Sequence, residues 1–102
     1  MKRLPLVRYT TNPQDSEENE TLSRAVFTEL RERKPPGIAY ALFRNGDAWT
    51  HLFVNLRADD SAEVTELDSF LAYQEALLDR CAVPPEPLRL QVELVDSYGL
   101  EV

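Results

Sequence analysis

Apolar residues alternate with polar ones over 88–94, cluster in a strand-like run over 3–10, and recur at helical spacing in two stretches between. Those two periodicities separate strands from helices. Residues 3–10, RLPLVRYT, read as a strand, and Pro5 implies an edge strand or a strand start. Asn12-Pro13 breaks the chain, and Asn12 or Asp15 is placed to cap a helix beginning there. Leu22, Ala25, Val26, Glu29 and Leu30 then recur at helical spacing. Asp15, Glu17, Glu18 and Glu20 lie toward the positive end of that helix, and Arg31, Arg33 and Lys34 toward the negative end. Pro35-Pro36-Gly37 stops it.

Residues 38–56, IAYALFRNGDAWTHLFVNL, predict a hairpin closed by Asn45-Gly46. With those two residues at the tip, Arg44 faces Asp47, Leu42 faces Trp49, Tyr40 faces His51 and Ile38 faces Phe53. One face is then Ile38, Tyr40, Leu42, Trp49, His51 and Phe53, with Asn55 on it by parity. The other carries Ala39, Ala41, Phe43, Ala48, Thr50, Leu52, Val54 and Leu56. A polar connection, 57–64, leads to a second helix over about 65–81, capped by Thr65 with Asp68 or from Asp60 with Glu63. Its apolar stripe is Leu67, Phe70, Leu71, Gln74, Leu77, Leu78 and Cys81. Pro84-Pro85 and Pro87 end it, and a last strand runs over 88–98.

The order β-α-β-β-α-β is the split pattern of ferredoxin-like α+β folds: a four-stranded antiparallel sheet with two helices on one face. The small side chains Ala39, Ala41 and Ala48, with Leu52, suit close helix approach. That leaves the aromatic face uncovered, and a second copy of the chain is the economical cover. The expectation is a homodimer joined through that sheet face.

Composition narrows the function classes. The chain has 102 residues and a net charge of -7, fitting one domain over 1–102 with no non-specific grip on nucleic acid or anionic membrane. A single cysteine, Cys81, excludes an internal disulfide. No signal peptide or membrane-length apolar run is legible, so the expected location is cytoplasmic. One His and one Cys far apart offer no metal-ligand spacing, and three glycines form no phosphate loop. No metal and no cofactor are expected. Cys81, taken as the end of the second helix, reads as an inert buried thiol.

The phrases VFTEL-RERKPPGIAYALFRNGDAWTHLFV and LDSFLAYQEALLDRC resemble the dimeric α+β barrel superfamily, most closely its small antibiotic-biosynthesis-monooxygenase-like branch. The resemblance covers nearly the whole chain and implies a homodimer with a ligand cavity between sheet and helices or at the interface. Several members of that superfamily oxidise aromatic substrates with dioxygen and neither metal nor flavin. Others degrade haem or isomerise or cleave small molecules, and some have no assigned activity. Haem degradation in that superfamily uses a histidine on the second helix, and TELDSFLAYQEALLDRC contains none.

His51 and Tyr40 are the candidate catalytic pair. A histidine titrating near neutrality takes a phenolic or enolic proton, giving an anion that reacts with dioxygen, and Tyr40 orients the substrate. Trp49, Phe53, Leu42, Ile38 and Asn55 are the candidate substrate-binding residues. The alternative reading makes His51 an interface residue, with Trp49 and Phe53 filling the dimer contact. The chain is then a non-catalytic dimer that binds a hydrophobic small molecule or acts as an accessory protein. On the first strand Val7 and Tyr9 share one face, and Leu4, Leu6 and Arg8 share the other. Spacing alone does not say which joins His51.

Overall fold

The computed structural model describes residues 2–55, 64, 66–92, 95–96 and 98, with backbone alone at 2–5 and 87–92. Four strands, β1 (Lys2–Thr11), β2 (Ile38–Asn45), β3 (Ala48–Asn55) and β4 (Cys81–Val92), form one antiparallel sheet in the order β2-β3-β1-β4. The helices are α1 (Ser16–Arg33), α2 (Asp68–Gln74) and the single turn α3 (Leu77–Arg80). A 3-10 turn, Pro13–Asp15, leads into α1. This is the ferredoxin-like α+β arrangement. The connection 57–63, Thr65 and the tail beyond Tyr98 lie outside the described residues.

β1 is central, not an edge, although it contains Pro5. The ladder to β3 pairs Arg3 with Asn55 and Leu6 with Leu52 and skips the positions between, so β3 asks nothing of the missing proline N–H. The hairpin tip is displaced by one residue from the expected one. Asn45 pairs with Ala48, leaving Gly46 and Asp47 at the tip, with Gly46 at φ 62°. Glycine at the first central position meets the only positive φ this turn needs. The pairs become Arg44–Trp49, Leu42–His51, Tyr40–Phe53 and Ile38–Asn55. The slip is two in register, so every residue keeps its expected face.

The helices cover the opposite face from the expected one. Phe27 of α1 packs edge-on against Tyr40 with centroids 5.0 Å apart, and Tyr73 of α2 lies 5.6 Å from His51. The aromatic face is therefore the core: Tyr9, Trp49, Val26, Val64, Leu67 and Tyr73 are buried, with Ile38, Tyr40, Leu42 and Phe53 packed against them. Large rings bury more area than alanines do, and burial of Trp49 alone is worth about 3–5 kcal/mol. Leu6, Ala39, Ala41, Phe43, Leu52 and Val54 face away from the helices, and Phe43 is 58% exposed.

The C-terminal half departs most from its pattern. The second helix is short and broken: Glu75 is extended and Ala76 is left-handed, at φ 58°. The break turns the helical stripe, so Leu71 and Leu78 are exposed while Tyr73 is buried. On α1, Ala25 is likewise exposed. Neither Asn12 nor Asp15 makes a side-chain cap bond, and the N-cap position of α2 is Leu67. Instead Glu29 of α1 accepts bonds from the Ser69 backbone N–H (3.1 Å) and hydroxyl (2.6 Å), satisfying the first turn of α2 from across the interface. β4 begins at Cys81, seven residues before the expected strand, and takes in all three prolines. It is an edge strand, bulged between its pairs with Arg8 and Thr10, where Pro84 and Pro85 fall. Edges and bulges are where a sheet tolerates proline.

Candidate functional site: a buried histidine among three tyrosines

His51 stands at the middle of β3, the strand between β2 and β1. Its neighbours across the sheet are Leu42 and Val7, and the flanking Tyr40 and Tyr9 reach it diagonally. The Tyr40 hydroxyl lies 2.6 Å from Nδ1. The Tyr9 hydroxyl lies 2.9 Å from Nε2 and the Tyr73 hydroxyl 3.1 Å from the same atom. Tyr9 and Tyr73 are themselves 2.6 Å apart. Strand alternation thus puts Val7 and Tyr9 on the His51 face.

Behind the tyrosines lie two more buried polar side chains. Asn19 of α1 donates from Nδ2 to the Tyr9 hydroxyl (2.9 Å) and accepts at Oδ1 from Arg80 Nε (3.2 Å). Arg80, 5% exposed, donates also to the carbonyls of Tyr73 (2.6 Å) and Glu75 (3.1 Å). Those carbonyls are freed by the break after α2, so the break supplies the acceptors a buried guanidinium requires.

A donor count favours one set of proton positions. Tyr9, Tyr73 and Nε2 form a closed triangle. With the ring proton on Nε2, three protons share two oxygen acceptors, and one buried hydroxyl is left without a partner. With the proton on Nδ1, Tyr9 and Tyr73 donate in sequence toward Nε2, and every group in the triangle is satisfied. The Nδ1 proton then goes to the Tyr40 oxygen, and the spare hydroxyl proton is that of half-buried Tyr40. An unmet buried donor costs about 1–3 kcal/mol, which favours this second arrangement.

The ionisation states agree. Burial lowers the His51 pKa to about 4, so the ring is neutral, not the near-neutral titrating group expected. Burial raises all three tyrosines, and none ionises near neutrality. Both ring nitrogens are engaged, so ligation of a metal by His51 would break a phenol contact. Among the described residues no three His, Cys, Asp or Glu side chains cluster for a metal. Cys81 is half-buried at the start of β4, and burial raises its thiol pKa.

One open groove of about 290 Å³ reaches this cluster at Tyr40. Phe27, Leu30, Arg31, Lys34, Pro35 and Ile38 line it with Tyr40, and of these Arg31 and Lys34 are exposed. Of the expected site residues, only Tyr40 and Ile38 line it. Trp49 is 2% exposed, and its Nε1 donates to Thr11 Oγ1 (2.9 Å). Thr11 also contacts Ser16 (2.6 Å), which donates to the Asp47 carboxylate (2.6 Å), so Trp49 ties the hairpin tip to the start of α1. Phe53 packs edge-on against Tyr40, Leu42 packs on the core, and Asn55 is buried at the end of β3. His51 itself is 6% exposed.

No protein-family model and no curated protein matches the chain. Solved structures do. A provisionally named antibiotic biosynthesis monooxygenase from Nitrosomonas europaea superposes with a TM-score of 0.75 at 12% identity, covering 94% of each chain. Another so named, from Caulobacter crescentus, gives 0.73 at 20% identity, covering 90% of this chain and 91% of its own. SnoaB, a cofactor-independent oxygenase from Streptomyces nogalater, gives 0.60 at 17% identity, covering 92% and 95%. The fold is that of the antibiotic biosynthesis monooxygenases.

Within this monooxygenase-like fold the cluster draws on α1, both helices of the C-terminal half and three strands. Sequence reading found His51 and Tyr40 but missed Tyr73, Asn19 and Arg80 and left Tyr9 unassigned. A signal for Asn19 exists: Asn19, Ser23, Val26 and Leu30 lie at helical spacing, and the first three are buried. Tyr73 and Arg80 depend on the break at Ala76, which no periodicity announces.

Proposed function

We propose that the chain is a cofactor-independent, monooxygenase-like enzyme acting on a small aromatic or polyketide-like molecule. The observation that carries the reading is Tyr40, which lines the groove and holds a spare hydroxyl proton while its oxygen is bonded to His51. A substrate phenol or enol oxygen in the groove accepts that proton's hydrogen bond. Charge developing there on ionisation is stabilised by an oriented donor. Solvent water in the open groove takes the substrate proton, and the electron-rich anion then passes electrons to dioxygen. An activated methylene becomes a carbonyl, and the second oxygen atom leaves as water with the two methylene hydrogens. His51 acts through Tyr40 as a positioning residue. Ile38 contacts the ligand, and Trp49, Phe53, Leu42 and Asn55 support the wall behind it.

The test is dioxygen uptake with anthrone, whose ring methylene ionises readily. The wild type accelerates uptake above the spontaneous rate, and Tyr40→Phe lowers kcat about 100-fold, the usual loss for one oxyanion donor. Equal rates in the two proteins would sink the reading.

A second reading is favoured by the full engagement and neutrality of His51. In it the cluster is a structural knot, and the chain is a non-catalytic binder of a hydrophobic small molecule. It predicts binding without uptake. In either reading the chain forms a homodimer through the sheet face opposite the helices, the face of Leu6, Phe43, Leu52 and Val54.

A further inference from the structure

We propose that the groove beside Tyr40 selects small apolar acids, held by Arg31 and Lys34 of its lining. The proposal takes the groove as the ligand site, as the oxygenase reading does, but requires no turnover. Three observations support it. First, the mixed lining includes an aromatic ring and two aliphatic side chains, Phe27, Leu30 and Ile38, for an apolar body to rest on. Second, its exposed lining residues are basic in a chain of net charge -7. Glu29, one turn away, is engaged with Ser69 and Arg33. Among the described residues, Arg31 and Lys34 are in no ion pair. The two cations also outweigh the partial negative charge of the α1 C-terminus, about half an elementary charge.

Third, Lys34 stands where a lysine is costly. It closes α1 in the left-handed region, at φ 48° and ψ 55°, with its N–H bonded to the Leu30 carbonyl (2.8 Å). Glycine is the low-strain residue there. Pro35 comes directly after it, and a proline restricts the preceding residue to extended backbone. A left-handed helix end is common, but a lysine there carries a backbone cost that glycine would not. The ligand's acid group meets Arg31 and Lys34, its apolar body lies on Phe27 and Leu30, and an oxygen substituent accepts from Tyr40.

The test uses phenylbutyrate, phenylbutanol and phenylbutylamine, which share a skeleton and differ in charge. Amide NMR shifts are followed in the full chain without added dioxygen substrate. The acid binds tightest and the amine weakest, with shifts concentrated on residues 27–40. Arg31→Gln and Lys34→Gln each weaken the acid about two- to fivefold, the scale of an exposed ion pair, and leave the alcohol unchanged. Unchanged alcohol binding also reports that the variants are folded. Added salt weakens the acid alone. Equal affinities for the three probes would overturn the proposal. So would an acid preference that survives the double substitution, or shifts mapping away from the groove. Because binding is read without turnover, a failure of oxygenase activity leaves this result standing, and the reverse.

Discussion

A histidine takes a proton only where its surroundings tolerate the charge, and at His51 they do not. Its pKa falls from 6.5 to about 4 on folding because burial strips the cation of water. Between those values the unfolded chain binds a proton that the folded chain refuses. Stability therefore drops as pH falls through that window, at about 1.4 kcal/mol per pH unit, and this contribution is complete below about pH 4. Urea unfolding at pH 7 and pH 5 is expected to differ by about 2 kcal/mol in the wild type. The difference should shrink in His51→Gln, whose side chain does not titrate. For the same reason the pH profile of the proposed dioxygen uptake is expected to carry no His51 inflection near pH 6.5. At this scale the His51–Tyr40 pair was legible because strand parity survives a two-residue slip. The rest of the cluster was not, because Tyr9, Asn19, Tyr73 and Arg80 come from four other elements.

Elements were legible where local chemistry decided them. α1, Ser16–Arg33, runs from an acidic first turn to a basic last one and ends just before a double proline, as the charge pattern and Pro35-Pro36 indicated. The hairpin was found, but its tip moved by one because Gly46 alone has positive φ, while Asn45 stays in the strand. The second helix was misread because its periodicity is continuous in sequence and interrupted in space at Ala76. That residue is exposed and left-handed, the region costing an L-residue about 1–2 kcal/mol. Ala76→Gly is expected to raise the melting temperature, the relief exceeding the glycine's gain in unfolded-state freedom of about 0.5–1 kcal/mol. A fall would mean that the break is held by something other than backbone strain. β4 was started late because prolines read as terminators; tertiary position made them part of an edge.

For the whole molecule, the choice of covered face decides everything downstream. Both hairpin faces are apolar enough to need cover, and the small side chains of the alanine face wrongly suggested that it meets the helices. Ring size settles it: the aromatic face gives the helices more surface to bury and leaves the alanine face outward. The dimer proposal moves to that outward face accordingly. Leu52→Glu puts a charge at its middle, between Leu6 and Ala41 in register. Light scattering at micromolar concentration is expected to give a dimer for the wild type and a monomer for the variant. A wild-type monomer would refute the proposal. No described helix is long and apolar enough to cross a membrane.

The unequal margins of the sheet carry a last consequence. One margin is β4, where Pro84, Pro85 and Pro87 offer no N–H and two register shifts bend the strand. The other is β2, which contains no proline. A chain that adds a copy of itself along the hydrogen-bonding direction has one competent side. The residues that hid the last strand from sequence reading are those that make its margin the poorer template for a further strand.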